Sequence, residues 1–440
     1  MDEALPVVVI GAGPQGLAAA AHLTERGIPF VVLEAGGAPV AAVLEWAHVR
    51  LFSDWSELVD AAGARLLTTT GWTAPSTGHP TGAQWISGYL AQLADLLGDR
   101  VRYGARVVGV SRLGRDRLVD AGRGDRPFTV HVRPTQGEEY RLLARAVIDA
   151  SGTWASPNPA GADGLPALGE RDVVDRLSYR IPDMRTDSRF AGGHTVVVGS
   201  GHSAVTAVLA LAQIARRDPA TLVTWAVRRT NAGNAFGGSD ADELPARGAL
   251  GIRAKEAVDA GLVSLVTGFR TERVAADDEG VVLIAEDGRR LVADRVIVLT
   301  GFRPDLSFLS ELRLQLDPVL QAPVRVAAEV DPNVHSCGSV AATGAADLAH
   351  PEPGFFIVGA KSYGRAPTFL ALTGYEQVRS VVAELAGDHE AARRIELILP
   401  ETGVCGGAGS FDATDGSIGG ACCAPAVQLI PLTTITPVRS

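Results

Sequence analysis

The stretch from Val7 to Glu34 limits this chain to few folds. It runs Val-Val-Val-Ile-Gly11-Ala-Gly13-Pro-Gln-Gly16, then an alanine-rich segment, then Phe30-Val-Val-Leu-Glu34. A β-branched run without polar alternation suits a strand buried on both faces. In such a unit Gly11 makes the tight turn, Gly13 lets the backbone approach a pyrophosphate, and Gly16 lets the next helix sit close on the sheet. The free N–H groups at that helix start form an anion site. Glu34, about 20 residues past the first glycine, stands where an acid holds a ribose hydroxyl. A glycine triplet alone is a weak signal. Strand, helix, second strand and acid in order make a strong one, and they predict a site for an unphosphorylated adenosine ribose, hence FAD or NAD.

After Glu34 comes a dense group, Trp46-Ala-His48-Val-Arg50-Leu-Phe52-Ser53-Asp54-Trp55. It reads equally as a wall around a flat ring system, with Trp46 and Ser53 on a cofactor, or as a packed loop between domains. Pro80-Thr-Gly leads into a predicted helix over 83–97 with apolar residues at helical spacing. Residues 101–148 read as short strands with turn signals, a small antiparallel ribbon. It closes on Ala146-Val-Ile-Asp149-Ala-Ser-Gly152, a strand predicted to return beside the first nucleotide site.

A second unit starts at Thr195-Val-Val-Val-Gly199-Ser-Gly201-His-Ser203-Ala204, with Ala204 in the place of the third glycine, a known variant. Its second strand ends in Arg228-Arg229 where the first unit has an acid. Arginine there accommodates a 2′-phosphate, which indicates NADPH; the plainer reading is a solvated basic pair. Val296-Ile-Val-Leu-Thr300-Gly301 is a second return strand. Residues 351–385 then read as strand, Gly359 turn and helix, returning the chain to the first domain. The expected fold is α/β: two Rossmann-like, glutathione-reductase-type dinucleotide-binding domains with parallel sheets, the second inserted in the first. The FAD domain is placed at 1–160 and 306–388, the NADPH domain at 167–305. A flexible, glycine-rich, cysteine-containing tail is expected over 400–440.

Bulk properties narrow the function classes. With 440 residues the chain exceeds one ordinary core. A formal net charge of −10 argues against nucleic acid or anionic lipid as a partner. No signal peptide or membrane-length apolar run is read, so a cytoplasmic location is expected, with a homodimer left open. The cysteines form no disulfide framework. The only one before residue 400 is Cys337; Cys405, Cys422 and Cys423 lie in the tail.

Two units, acidic and basic at the ribose position, resemble the two-dinucleotide-binding-domain flavoproteins. That resemblance implies FAD in the first unit, NADPH in the second, and hydride passing between them where the domains meet. Disulfide reductases of that superfamily carry a cysteine pair beside the flavin, which this chain lacks. Leu299-Thr300-Gly301-Phe302 looks like the A-T-G-Y stretch of flavin-containing monooxygenases. Their F-x-G-x-x-x-H stretch is only half met, by Phe190-Ala-Gly192 with Val196 in the histidine's place, and G-G-x-W is missing. A closer resemblance is to the monooxygenase-like flavoproteins of actinobacterial arsenic-resistance clusters. It is carried by residues 46–53, Asp331-Pro-Asn-Val-His335-Ser-Cys337-Gly, His350-Pro-Glu-Pro-Gly354, Lys361-Ser-Tyr363-Gly-Arg365-Ala-Pro-Thr-Phe369, and Pro400 to Cys405 with Cys422-Cys423.

Reduced flavin without a neighbouring dithiol can pass its electrons to dioxygen or to a small molecule in the cleft. Arg50, Lys361 and Arg365 are candidates for steadying developing or product charge, and His48 for moving a proton; each is otherwise a surface or packing residue. Trivalent arsenic is thiophilic, and Cys405, Cys422 and Cys423 could hold it as soft ligands. The competing expectation is an NADPH-dependent reductase using the tail cysteines as a thiol relay. A non-enzymatic arsenic-binding protein is the remaining alternative.

Overall fold

The computed structural model describes residues 4–397 except Ser76, 232–235, 237–244, Glu279, 333–341 and Thr368. The chain starts with β1 (Val7–Ile10), the first fingerprint helix (Pro14–Glu25) and β2 (Phe30–Leu33). β3 (Val101–Arg102) follows a helical stretch, and β4 (Ala105–Arg112), β5 (Phe128–Pro134) and β6 (Tyr140–Ala144) form an antiparallel sheet. β7 (Ala146–Asp149) then pairs parallel to β1, with Val8 opposite Val147. The expected helix over 83–97 starts at Gly82, where Thr81 and Gln84 make a capping box, and carries a π-helical turn at Ile86–Leu90.

The second unit repeats this plan. β8 (Leu177–Ser178) precedes β9 (His194–Val198), the second fingerprint helix (His202–Arg217), β10 (Leu222–Ala226) and β11 (Ser264–Val266). A second antiparallel sheet, β12 (Thr271–Asp277), β13 (Gly280–Ala285) and β14 (Arg290–Ala293), leads into β15 (Arg295–Val298). Finally β16 (Phe355–Ile357) pairs parallel to β7, and the closing helix (Ala371–Leu385) packs on the first fingerprint helix.

The two parallel sheets have the same layout, β16-β7-β1-β2-β3 and β8-β15-β9-β10-β11. In each, the return strand lies on one side of the fingerprint strand and the second strand on the other, so both have a switch point beside the glycine turn. The edge strand differs only in origin. β8 comes from within the second unit, just before its fingerprint strand, whereas β16 comes from after the whole second unit, which is the geometry of one unit inserted in another.

Both faces of each sheet are covered, which explains the unbroken apolar strands. In β1, Val7 and Val9 pack on the helix side while Val8 and Ile10 pack on the antiparallel-sheet side. In β9, Val197 and Val196 divide in the same way. The second antiparallel sheet was not foreseen in the sequence.

Candidate functional site

Each glycine turn is shaped by the return strand beside it. Gly11 has φ +97°, and a Cβ there would lie 2.9 Å from the Ala150 carbonyl oxygen. Gly199 has φ +128°, and its Cβ would lie 2.2 Å from the Leu299 carbonyl oxygen. Only glycine fits such turns. At Gly16 a Cβ would sit 1.9 Å from the Gly11 carbonyl oxygen. Ala204, the counterpart of Gly16, is wholly buried in the second helix interface. By contrast, nothing lies within 4 Å of a Cβ at Gly13 or Gly201. Both helices start on these glycines with no side-chain cap, which gives helix N-termini of the kind that bind anions.

Glu34 ties this first cradle together. Its Oε2 accepts from Ala12 N–H and its Oε1 from Gly36 N–H, each at 2.7 Å. Two oxygens offer about four lone-pair sites, so room remains for ribose hydroxyls. Two features were missed in the sequence. Val40 has φ +50°, strained for a β-branched residue, and its N–H donates to the Ala12 carbonyl, pressing a loop onto the fingerprint. Gln15 sits between Gly359 and Gly374, whose Cβ atoms would meet its Cγ at 3.2 and 2.6 Å. The side-chain Nε2 donates to Ala371 O at 3.4 Å, which joins the starts of the first and closing helices. A polar residue between two fingerprint glycines was the available signal.

A cleft of about 800 Å³ opens over the C-terminal ends of β9 and β15. It brings together Gly199, Gly201, Ser203, Arg228, Arg229 and Gly301 from the second unit and Arg365 from the first. Arg228 donates to the Ala162 carbonyl at 2.6 Å. Thr271, only 2% exposed, lines the same cleft, and its Oγ1 has no hydrogen-bond partner. A buried orphan hydroxyl in a cleft that two guanidiniums also line fits a polar ligand such as a ribose phosphate. Residues 154–158, where the chain leaves the first unit, are pinned to the second. Trp154 stacks on Phe302 at 5.0 Å and Asn158 Nδ2 donates to Thr300 O, while Arg180 of the second unit pairs with Glu45 of the first at 2.9 Å.

Several other residues named from the sequence lie outside this cleft. Lys361, expected as a cation in the cleft, is 1% exposed; its Nζ donates to Asp149 Oδ2 at 2.7 Å and Ser151 Oγ at 3.2 Å. Its charge is matched inside the first unit by Asp149, and it is not part of the cleft lining. Asp149 also accepts from the Ser151 N–H and hydroxyl, holding the turn through Gly152 against Gly11. Arg50 is exposed and donates to the His79 carbonyl, anchoring a neighbouring loop. Trp46 packs on Trp85 at 6.3 Å and against Gly82. Ser53 is buried, and Phe52 carries this segment to His202 of the second unit at 5.7 Å. His48 Nε2 is enclosed without a hydrogen-bond partner and lies outside the cleft lining.

Cys337, Cys405, Cys422 and Cys423 fall outside the described residues. Among the described residues, no three or more His, Cys, Asp or Glu are placed to hold a metal ion, and no helix is long and apolar enough to cross a membrane.

The basic pair makes a direct prediction. Arg228→Ala with Arg229→Ala is expected to raise KM for NADPH about tenfold or more, narrowing its preference over NADH. Steady-state kinetics with both nucleotides reads this, and an unchanged preference would reverse the assignment.

Comparison with known proteins agrees with this architecture. Over 293 residues the chain is 29% identical to the ferredoxin–NADP reductase of Gluconacetobacter diazotrophicus, covering 62% of this chain and 72% of that protein. The indole-3-pyruvate monooxygenase YUCCA1 of Oryza sativa subsp. japonica is 29% identical over 205 residues, which span 46% of this chain and 44% of that relative. The bacillithiol disulfide reductase of Bacillus cereus has the same fold, with a TM-score of 0.64 at 19% identity over 87% of this chain and 99% of that one. A flavin-containing monooxygenase from Stenotrophomonas maltophilia gives 0.53 at 24% identity, over 89% and 98% of the two chains. Residues 8–325 match the model of the pyridine nucleotide-disulphide oxidoreductase family, and the chain belongs to that family. It is a flavin-dependent oxidoreductase whose cofactors are FAD and NAD(P)H.

Proposed function

We propose that this member of the family is an NADPH-consuming, monooxygenase-like flavoprotein that oxygenates a soft small molecule such as a trivalent arsenical. One observation carries the reading. No cysteine precedes Cys337, so electrons reaching a flavin in the first unit meet no dithiol in residues 1–336. The match to a plant monooxygenase supports the same direction.

Bound FAD would accept hydride from the nicotinamide and make dioxygen reactive toward a soft nucleophile. The chain's own residues bind, orient and enclose. Glu34 would accept hydrogen bonds from the FAD ribose, and the N–H groups beyond Gly13 would take its pyrophosphate. Arg228 and Arg229 would grip the 2′-phosphate of NADPH while the Gly199–Ser203 turn takes its pyrophosphate. Phe302, Pro367 and Phe369 line the cleft and reduce its access to water. Cys405, Cys422 and Cys423 would capture a trivalent arsenical as soft thiolate ligands. Sparse cysteines without a disulfide framework support a cytoplasmic location.

A thiol-relay reductase is the second reading, favoured by the disulphide chemistry in the family's description and by the adjacent Cys422 and Cys423. Oxygen-electrode measurements with NADPH separate the two. The oxygenase reading expects uptake to rise when arsenite or phenylarsine oxide is added, with less hydrogen peroxide formed than oxygen consumed. Unchanged uptake with peroxide as the sole product removes these substrates.

A further inference from the structure

The cleft has a second cationic feature besides the Arg228–Arg229 pair. Among the described residues, four guanidiniums, Arg228, Arg229, Arg303 and Arg365, line it against one carboxylate, Asp163. Arg228 and Arg229 follow β10, at the adenosine end of a Rossmann-type unit. Arg303 follows the turn after β15, on the other side of the switch point, and Arg365 enters from the first unit.

Both side chains are positioned by neutral partners. Arg303 Nε donates to Asn158 Oδ1 at 2.7 Å, and a terminal nitrogen donates to Gly164 O at 3.0 Å. Arg365 Nε donates to Gln321 Oε1 at 2.8 Å. Asp163 accepts from the Leu165 N–H at 3.0 Å instead of pairing with either. Among the described residues neither arginine forms an ion pair. Burial lowers the pKa of Arg303, and the charge of Arg365 lowers it further. Two like charges so placed cost free energy that a bound anion offsets. Their remaining N–H groups form the fork that carboxylate and phosphate-like groups accept.

We propose that Arg303 and Arg365 form an oxyanion site, separate from the ribose-phosphate site, that recognises the acidic group of the substrate or product. A carboxylate or an arsenate-type oxyanion has the required chemistry. The dinucleotide pyrophosphate is the other source of such a group, but the Gly199–Ser203 turn and helix start already serve it. The inference rests on the cleft being the reaction site.

Calorimetric titration of the oxidised holoenzyme with pyruvate, arsenate and NADP⁺ tests it without turnover. Arg365→Gln, at an exposed position, is expected to weaken pyruvate and arsenate binding about tenfold or more, with NADP⁺ affinity within about twofold. Arg303→Gln should do the same if it folds, and Arg228→Gln should show the reverse pattern. A parallel loss of NADP⁺ affinity in Arg365→Gln would assign the pair to the pyrophosphate and overturn the substrate assignment. Wild-type protein that binds neither small anion, or Arg365→Gln that binds both as tightly, overturns the site. Peroxide as the sole oxygen product would instead defeat the oxygenase reading while leaving these affinities in place.

Discussion

Lys361→Met is expected to destabilise the protein by about 3–5 kcal/mol, because it leaves Asp149 charged and unpaired in the core. Both side chains of this pair are 0% exposed. The Lys361 ammonium also lies 4.4 Å from the Phe308 ring centroid, an apolar neighbour that offers the carboxylate no replacement partner. For a chain of 440 residues the loss corresponds to a fall in Tm of roughly 3–5 °C. The effect should reach the flavin, since Asp149 holds the 150–152 turn against Gly11. Adding Asp149→Asn to Lys361→Met should recover much of the loss. Asparagine keeps the oxygen that accepts from Ser151 but carries no charge. Thermal melting and flavin absorbance of the single and double variants read both effects. A single variant as stable as wild type would show that the pair does not hold the turn.

The second large effect separates two glycines of one fingerprint. Gly16→Ala is expected to prevent folding of the first unit, or to cost on the order of 4 kcal/mol or more, because its methyl would overlap the Gly11 carbonyl at 1.9 Å. Gly13→Ala should fold with a near wild-type Tm. Its φ of −75° suits any residue and nothing lies within 4 Å of the added carbon. That carbon would occupy the space through which the pyrophosphate approaches, so FAD affinity should fall about tenfold or more. Circular dichroism and FAD titration of both variants check this. Gly13→Ala that retains FAD as tightly as wild type would move the cofactor away from this turn.

The contrast shows what was legible in the sequence. Strand, glycine turn, alanine-rich helix and second strand are local patterns, and the structure has them at both Val7 and Thr195. The return strands were legible too, as apolar runs ending in glycine. The β12–β14 sheet was not, because β13 is an almost wholly buried apolar run while β12 and β14 are mostly exposed, so none of the three shows the alternation that marks a strand. Lys361 shows a different limit. Gly359–Tyr363 is one short 3₁₀ turn without periodicity, so its sequence does not reveal which side chains point inward. Only the placement of Asp149, over 200 residues earlier, decides that. Arg303 stood in plain view after Thr300-Gly301-Phe302, yet its meaning depends on Arg365, which reaches the cleft from the other unit.

The central claim is that electrons pass from NADPH to the flavin and leave without a cysteine relay. Anaerobic titration of the oxidised holoenzyme with NADPH, followed by a thiol count under denaturing conditions, tests it most directly. The account predicts full bleaching of the flavin by a single equivalent of NADPH, with no thiols beyond those of the untreated protein. Uptake of a further equivalent, with two new thiols per chain, would contradict it and establish the reductase.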